Sequence, residues 1–405
     1  MKLVLATFGT TGDVQPFLAL GVELIRRGHA VLLAAPPNFA ARAQATGLAF
    51  CPLGAPVDDP QSLHLFASAY EMEGAVDQVR ATLAVPLQHA EASLPALMDA
   101  ARGADLLVSI PYQPAGRICA ERLGLPYISV HFSPFGSTRR PKLSAVAAPA
   151  FNALRAAHGL GPLAEPLGQD GISPTLALTP VSPSIFPRPP SWPPRNHVTG
   201  FWFLDEPYTP DPGLRAFVEA GEPPVVIGFG SLTHRDPAAM TQVLLDAVAR
   251  AGVRAVIQSG WSGLALEDPP PHVRFASFVP HPWLFPRAAC VVHGGGAGTT
   301  AAVLRAGVPS VFVPHWLDQH LWGALALERN LASACLPLKE LDAANLAAAI
   351  RAAAAGRIRE ACVDMARRVR AEAGVAAAVD LLEAVGPACR GTGPLPGRPA
   401  LEPHR

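Results

Sequence analysis

Short apolar runs of strand length, LVLATF (3–8), AVLLAAP (30–36) and LAFCPL (48–53), alternate with stretches of helical period, PFLALGVELIRRG (16–28) and NFAARAQATG (38–47). Such alternation predicts a parallel sheet with helices on its faces. Further strands fit at 105–109 and 127–131, around a helical stretch at 115–123. The segment 59–97 is helical in pattern and suited to a pocket wall. From Thr179 to Pro224 the texture changes, with prolines at 180, 183, 187, 189, 190, 193, 194, 207, 210, 212, 223 and 224. Proline fixes φ and removes a backbone donor. The segment is therefore expected to be an interdomain linker without regular helix or central strand, apart from one strand near 198–201. A second series then opens: PVVIGFGS, a helix over 238–251, RAVIQS, VRFASFV, ACVVHGG, a helix over 299–306, SVFVP and alanine-rich helices to about Val385. The predicted fold class is α/β, with two doubly wound units over 1–200 and 221–385, a Pro-rich linker over about 180–224 and a disordered tail over 386–405. Two such units facing each other place their loops across one cleft, beyond the carboxyl ends of the strands.

Composition narrows the class. The chain has 405 residues, 50% of them hydrophobic, enough for two sizeable cores. Lys+Arg and Asp+Glu balance at 32 each without a long basic run, which sets nucleic-acid binding aside. The apolar segment before Gly9 is too short for a secretory signal, and no stretch reaches the roughly 20 apolar residues of a membrane span. Six cysteines (51, 119, 290, 335, 362, 389) lie scattered, against both a disulfide framework and a zinc site. The expected location is cytoplasmic, with peripheral membrane contact left open.

The candidate chemistry sits in two glycine-rich turns. CVVHGGGAGTTAAVL (290–304) is a β-branched strand, four glycines within five positions, two threonines and a helix. Glycines let a backbone approach an anion, and the following helix N-terminus attracts phosphate. A simple strand-to-helix turn needs only one or two glycines. The run is neither a Walker loop nor a GxGxxG fingerprint, so kinase and dehydrogenase readings weaken together. The opening turn, FGTTGDVQPF (8–17), lacks the third glycine and carries one carboxylate, Asp13.

Residues 278–323, FVPHPWLFPRAACVVHGGGAGTTAAVLRAGVPSVFVPHWLDQHLWG, closely resemble the nucleotide-sugar signature of family 1 glycosyltransferases, the plant and bacterial UDP-glycosyltransferases. Residues 9–31 look like the N-terminus of the bacterial and sterol-glucosyltransferase branches. The resemblance implies a GT-B fold, two Rossmann-like domains with the sugar donor held mainly by the second. It also implies that His293, Gly296 and the amides of Gly298, Thr299 and Thr300 hold the diphosphate together with Ser231. Val279 would meet the base through its backbone, and Asp318 and Gln319 would bind sugar hydroxyls. Each has a plainer reading: His293 as a satisfied core histidine, Ser231 as a helix cap, Asp318 as an N-cap beside which Gln319 adds no capping value. The chain departs from its relatives at Gly294, where many bacterial members have a second histidine, and at Ala301, where plant members place a ribose-binding glutamate. UDP and dTDP both remain open.

In plant-type members the equivalent of Gly12-Asp13 reads Gly-His, and that histidine is the base. The resemblance thus implies Asp13 as the base of an inverting transfer; the alternative is a helix cap ahead of Pro16. An aspartate base would need a partly desolvated cleft to raise its pKa. The stretch VSIPYQPAGR (108–117) offers no supporting acid, and no DxD occurs, so neither a cofactor nor a metal ion is expected. Leu63, Leu65, Phe66, Tyr70, Met72, Phe132, Phe135 and Phe151 are either core or the lining of a site for a hydrophobic acceptor: a sterol, polyketide, carotenoid, flavonoid or lipid. A non-catalytic GT-B partner and a GT-B sugar epimerase are the competing readings.

Overall fold

The computed structural model describes residues 1–72, 74–133 and 141–390. Its strands are β1 (Lys2–Ala6), β2 (Ala30–Ala35), β3 (Ala49–Pro52), β4 (Leu106–Ser109), β5 (Tyr127–Val130), β6 (Leu176–Thr179) and β7 (Asn196–Val198), then β8 (Val225–Gly228), β9 (Ala255–Gln258), β10 (Val273–Ala276), β11 (Val291–His293), β12 (Ser310–Phe312) and β13 (Ala332–Cys335). The first seven form one sheet in the order β3-β2-β1-β4-β5-β6-β7, and the last six form another in the order β10-β9-β8-β11-β12-β13. Every pairing is parallel.

Alternation along each strand explains why both faces are covered. In β1, Leu3 and Leu5 enter one core while Val4 and Ala6 enter the layer behind. In β8, Val225 and Ile227 face one layer and Val226 the other. A strand buried on both faces reads as an unbroken apolar run. In each sheet the strand order reverses between the first and fourth strands, at β1/β4 and β8/β11. Loops leaving β1, β8 and β11 therefore flank the crevices where ligands of open parallel sheets bind.

The Pro-rich segment corrects the expectation of an unstructured linker. Its strand ends at Val198, as the edge of the first sheet, where a missing N–H partner is tolerated. Arg188 donates to the carbonyls of Asn196 (2.7 Å), Trp192 (2.7 Å) and Pro193 (2.8 Å), satisfying acceptors in the Pro-rich turn ahead of that edge strand. A regular helix also occurs there, Pro212–Glu219: Pro212 occupies its first turn, where no N–H is needed, and the Asp211 side chain accepts from Leu214 N at 2.8 Å.

The end of the chain differs as well. The helix Gly374–Arg390 runs past the expected boundary, and Ala378, Val379 and Leu382 pack into the core of the first domain. Arg27 donates to Asp380 (2.5 Å) and Glu383 (3.0 Å), and His29 pairs with Glu383 at 2.8 Å. The tail beyond Arg390 lies outside the described residues. Among those described, no helix is long and apolar enough to cross a membrane.

Candidate active site

The loop after β1 is shaped around Asp13. Thr10 caps the helix Thr11–Arg26, and Asp13, in the first turn, reaches back so that its Oδ2 accepts from Thr10 N (2.8 Å) and Thr10 Oγ1 (3.3 Å). This is a reciprocal capping box rather than an N-cap. Gly9 has φ +129°, and a Cβ there would collide with that same carboxylate oxygen, so glycine serves the acid rather than a phosphate. Neither bond uses Oδ1. Burial pushes the Asp13 pKa up to about 6 against the two Thr10 bonds, and the negative charge of Asp318 on the other domain adds to the rise. An acid so placed exchanges protons near neutrality.

The loop after β11 faces it. Gly296 is the N-cap of the helix Ala297–Ala306 and supplies no side chain to cap it. Other helices are closed by side chains, among them those of Gln113, Asp211, Asp236 and Asp342. The first-turn N–H groups here consequently have no intrahelical acceptor and no side-chain substitute, the arrangement that binds an anion. Gly295 has φ +88°, and a Cβ would lie 2.8 Å from the Phe312 ring. Gly298 and the half-buried Thr299 lie in the first turn, and a Cβ on Gly298 would sit 3.9 Å from Gly12 Cα, so the two loops meet across the cleft. Thr300 is buried, its N donates to Gly296 O, and its Oγ1 is enclosed without a hydrogen-bond partner.

His293 ends β11, directly ahead of the glycine loop. It is 0% exposed and its ring packs on Phe312 with centroids 4.5 Å apart. Gly295 N donates to its Nδ1 at 3.1 Å, which makes Nε2 the protonated nitrogen, 3.2 Å from Ser310 Oγ. Both nitrogens are spent inside the domain, and burial pushes the pKa down to about 3. His293 is thus a neutral histidine whose two ring nitrogens fix the start of the glycine loop.

The remaining residues separate by position. Ser231 follows β8, half-buried, and the next helix is capped by Asp236, so Ser231 is no helix cap. Val279 is buried with its carbonyl accepting from Gln258 Nε2 at 2.9 Å. Beside it Phe278 is 66% exposed, an aromatic face missed from the sequence. Asp318 stands in the first turn of the helix Leu317–Glu328, whose N-cap is Trp316. Gln319 does cap this helix, contrary to expectation: its Oε1 accepts from His315 N (2.7 Å) and Trp316 N (3.1 Å).

On the acceptor side, Leu65 and Phe132 pack against the first core, and Phe132 meets Phe17 edge-on at 5.9 Å. Phe66 is buried, and Met72 is 37% exposed. Leu63 is half-buried, and its carbonyl accepts from Thr233 Oγ1 of the second domain at 3.2 Å. Phe151 belongs elsewhere, to a cluster with Val79, Leu83, Ala147 and Leu167. Phe135 and the side chain of Tyr70 lie outside the described residues.

Two parallel sheets of this order, with a carboxylate loop on one meeting a glycine loop on the other, define the class of GT-B glycosyltransferases. The chain belongs to that family. Residues 3–139 match the glycosyltransferase family 28 N-terminal domain, and residues 242–385 the erythromycin biosynthesis protein CIII-like C-terminal domain. It is similar to the O-mycaminosyltylonolide 6-deoxyallosyltransferase of Streptomyces fradiae, 33% identical across 95% of this chain and 97% of that protein. Two sterol 3-beta-glucosyltransferases of Arabidopsis thaliana are 30% and 32% identical across 94% of this chain, which spans 67% and 64% of their lengths. Solved structures share the fold at 22% identity: the kitacinnamycin glycotransferase (TM-score 0.73, 95% of this chain and 98% of that one) and glycosyltransferase VinC in complex with dTDP (TM-score 0.71, 96% and 100%).

Proposed function

We propose that the protein transfers a sugar, with inversion, from a UDP- or dTDP-sugar to a hydroxyl of a hydrophobic acceptor of the sterol or macrolide kind. The acceptor oxygen attacks the anomeric carbon as the bond from that carbon to the diphosphate oxygen breaks, and the hydroxyl proton passes to Asp13. Charge growing on the departing diphosphate is met by the uncapped N–H groups after Gly296, by Thr300 Oγ1 and by Ser231, with no metal ion or other cofactor required. Phe278 offers its exposed face to the base beside the Val279 backbone, and Asp318 and Gln319 Nε2 hold sugar hydroxyls. The Leu63, Leu65, Phe66 and Phe132 side of the cleft takes the acceptor. A cytoplasmic location belongs to the same reading. The observation that carries it is the meeting of the Asp13 loop, its carboxyl raised to about 6, with an uncapped helix N-terminus on the other domain.

The test is incubation with UDP-glucose and dTDP-glucose against a panel of sterols, macrolactones and other hydrophobic alcohols, following nucleotide release and glycoside mass. Glycoside formation that falls about 10²–10⁴-fold in Asp13→Asn, with donor binding unchanged, is expected. Failure of every pair to give a glycoside, despite donor binding, would sink the transfer reading. Wild-type turnover in Asp13→Asn would remove the base assignment.

A further inference from the structure

The loop after β8 carries more than Ser231. Two residues on, Thr233 bonds to the acceptor-side helix through Leu63 O (3.2 Å), and His234 turns back onto the donor side. Its ring meets Phe229 edge-on at 5.2 Å and lies tilted on His315 at 5.1 Å, while Phe229 and His315 are themselves 5.3 Å apart. Ring packing surrounds the imidazole of His234, and its Nε2 is enclosed and makes no hydrogen bond within the protein. His315 is fixed from behind, with Nδ1 donating to Val313 O (2.8 Å) and its backbone N held by Gln319 Oε1. It lies beside the glycine loop, 3.6 Å from where a Cβ on Gly294 would stand. His234 thus lies three residues after Ser231, given to the phosphates, and against His315, whose backbone is held by Gln319, given to the sugar.

We propose that His234 is a specificity-determining residue for the transferred sugar, hydrogen-bonding one of its ring hydroxyls through the otherwise unsatisfied imidazole nitrogen. The inference rests on the donor reading above. Burial pushes the pKa of His234 down to about 4 and that of His315 to about 3, so the pair is uncharged at neutral pH. Neutral imidazoles suit a hydroxyl better than a diphosphate, which calls for charge or aligned amides. A buried polar group with no partner disfavours its state, a cost that a sugar hydroxyl would relieve and a deoxy sugar would not.

The experiment uses the full chain and the variants His234→Phe, which keeps the aromatic packing, and His234→Asn, which restores a hydrogen-bonding group. Binding of UDP and dTDP, of UDP-glucose and dTDP-glucose, and of their 2-, 3-, 4- and 6-deoxy analogues is measured by calorimetry without acceptor, alongside melting temperature. His234→Phe is expected to weaken binding of the nucleotide-glucose about 10- to 100-fold, to leave the nucleoside diphosphate unchanged, and to abolish discrimination against one deoxy analogue. His234→Asn should recover part of the loss. Equal loss of diphosphate and nucleotide-sugar binding would make His234 a phosphate contact or a fold residue and overturn the proposal. So would binding of the nucleotide-glucose by His234→Phe within twofold of wild type, or a wild type that binds nucleotide-glucose no better than diphosphate. Transfer is read separately: absence of glycoside with intact hydroxyl discrimination would refute the transferase reading and leave His234 assigned.

Discussion

Replacing Asp13 by asparagine should cost activity and add stability, and the sign of the second effect follows from the pKa. A carboxyl moved from 3.8 to about 6 binds more protons folded than unfolded between those values. Stability therefore falls as pH rises through that window, the reverse of an ion-paired aspartate. The displacement is equivalent to about 3 kcal/mol when complete, reduced to about 1–3 because the residue is only half-buried and water screens it. Asparagine keeps the acceptor for Thr10 N, so the capping box survives while the ionisation penalty disappears. His234, His281, His293 and His315, all lowered by burial to about 3 or 4, act oppositely: their contribution is present above 6.5 and is lost as pH falls below it. They are common to both proteins and cancel in the difference. The assay is thermal unfolding of wild type and Asp13→Asn from pH 4 to 8. The variant should melt a few degrees higher at pH 8 and within error of wild type at pH 4, while the acidic limb of wild-type kcat/KM lies near 6. A variant destabilised at pH 8, or an acidic limb near 4, would show that Asp13 is an ordinary capping carboxylate.

Other substitutions separate architecture from chemistry. Gly298→Leu, at an exposed first-turn position that faces Gly12, should leave the melting temperature unchanged and weaken nucleotide-sugar binding at least about 10-fold by calorimetry. Gly295→Ala puts a Cβ against Phe312 at φ +88° and should destabilise the second domain by about 1–3 kcal/mol in urea unfolding, with loss of donor binding. Gln319→Leu removes the acceptor for two backbone N–H groups and should cost about 1 kcal/mol in the same measurement, whereas Gln319→Glu, which keeps an acceptor there, should not.

What the sequence discloses here is local. β1, β2, β8 and β9 are runs of branched and apolar residues with turns after them, and both glycine loops lie where a strand gives way to a helix. β6 and β13 escape notice because LALT and ASAC are short, with few β-branched residues, and owe their strand state to neighbours in the sheet. The Pro-rich segment looks irregular because proline is read as a breaker, yet it is tolerated at an edge strand and in a first helical turn. Site residues divide the same way. Asp13 and the glycine run announce themselves by type and spacing, whereas the engagement of His293 depends on Ser310, seventeen positions away in sequence, on the adjacent strand. Gln319 was misjudged because the helix start, at Leu317, is needed to see that it is the third residue of the first turn.

The division of labour across two sheets makes the interdomain contacts part of the reaction geometry. Under the proposed mechanism the Asp13 loop and the glycine loop act together only if the domains keep their relative position, and a misplacement of about 1 Å costs roughly 10²-fold in rate. Among the described residues, three further sets of contacts bear on that position. One is at the mouth of the cleft, Thr233 on Leu63; the second is the pair of crossings, where Gly200 and Gly374 pack so closely that a Cβ on Gly374 would strike the Phe201 carbonyl. There the carboxylate of Glu372 accepts from Ser182 Oγ (2.5 Å) and Ser184 Oγ (3.2 Å) and ties the second crossing to the first domain. The third is the final helix, whose Asp380 and Glu383 return to Arg27 at the far end of the helix that carries Asp13 in its first turn. The helix that carries Asp13 is thereby anchored by the segment that leaves the second domain. If Asp13 is the base, substitutions at that crossing are expected to change kcat and KM together.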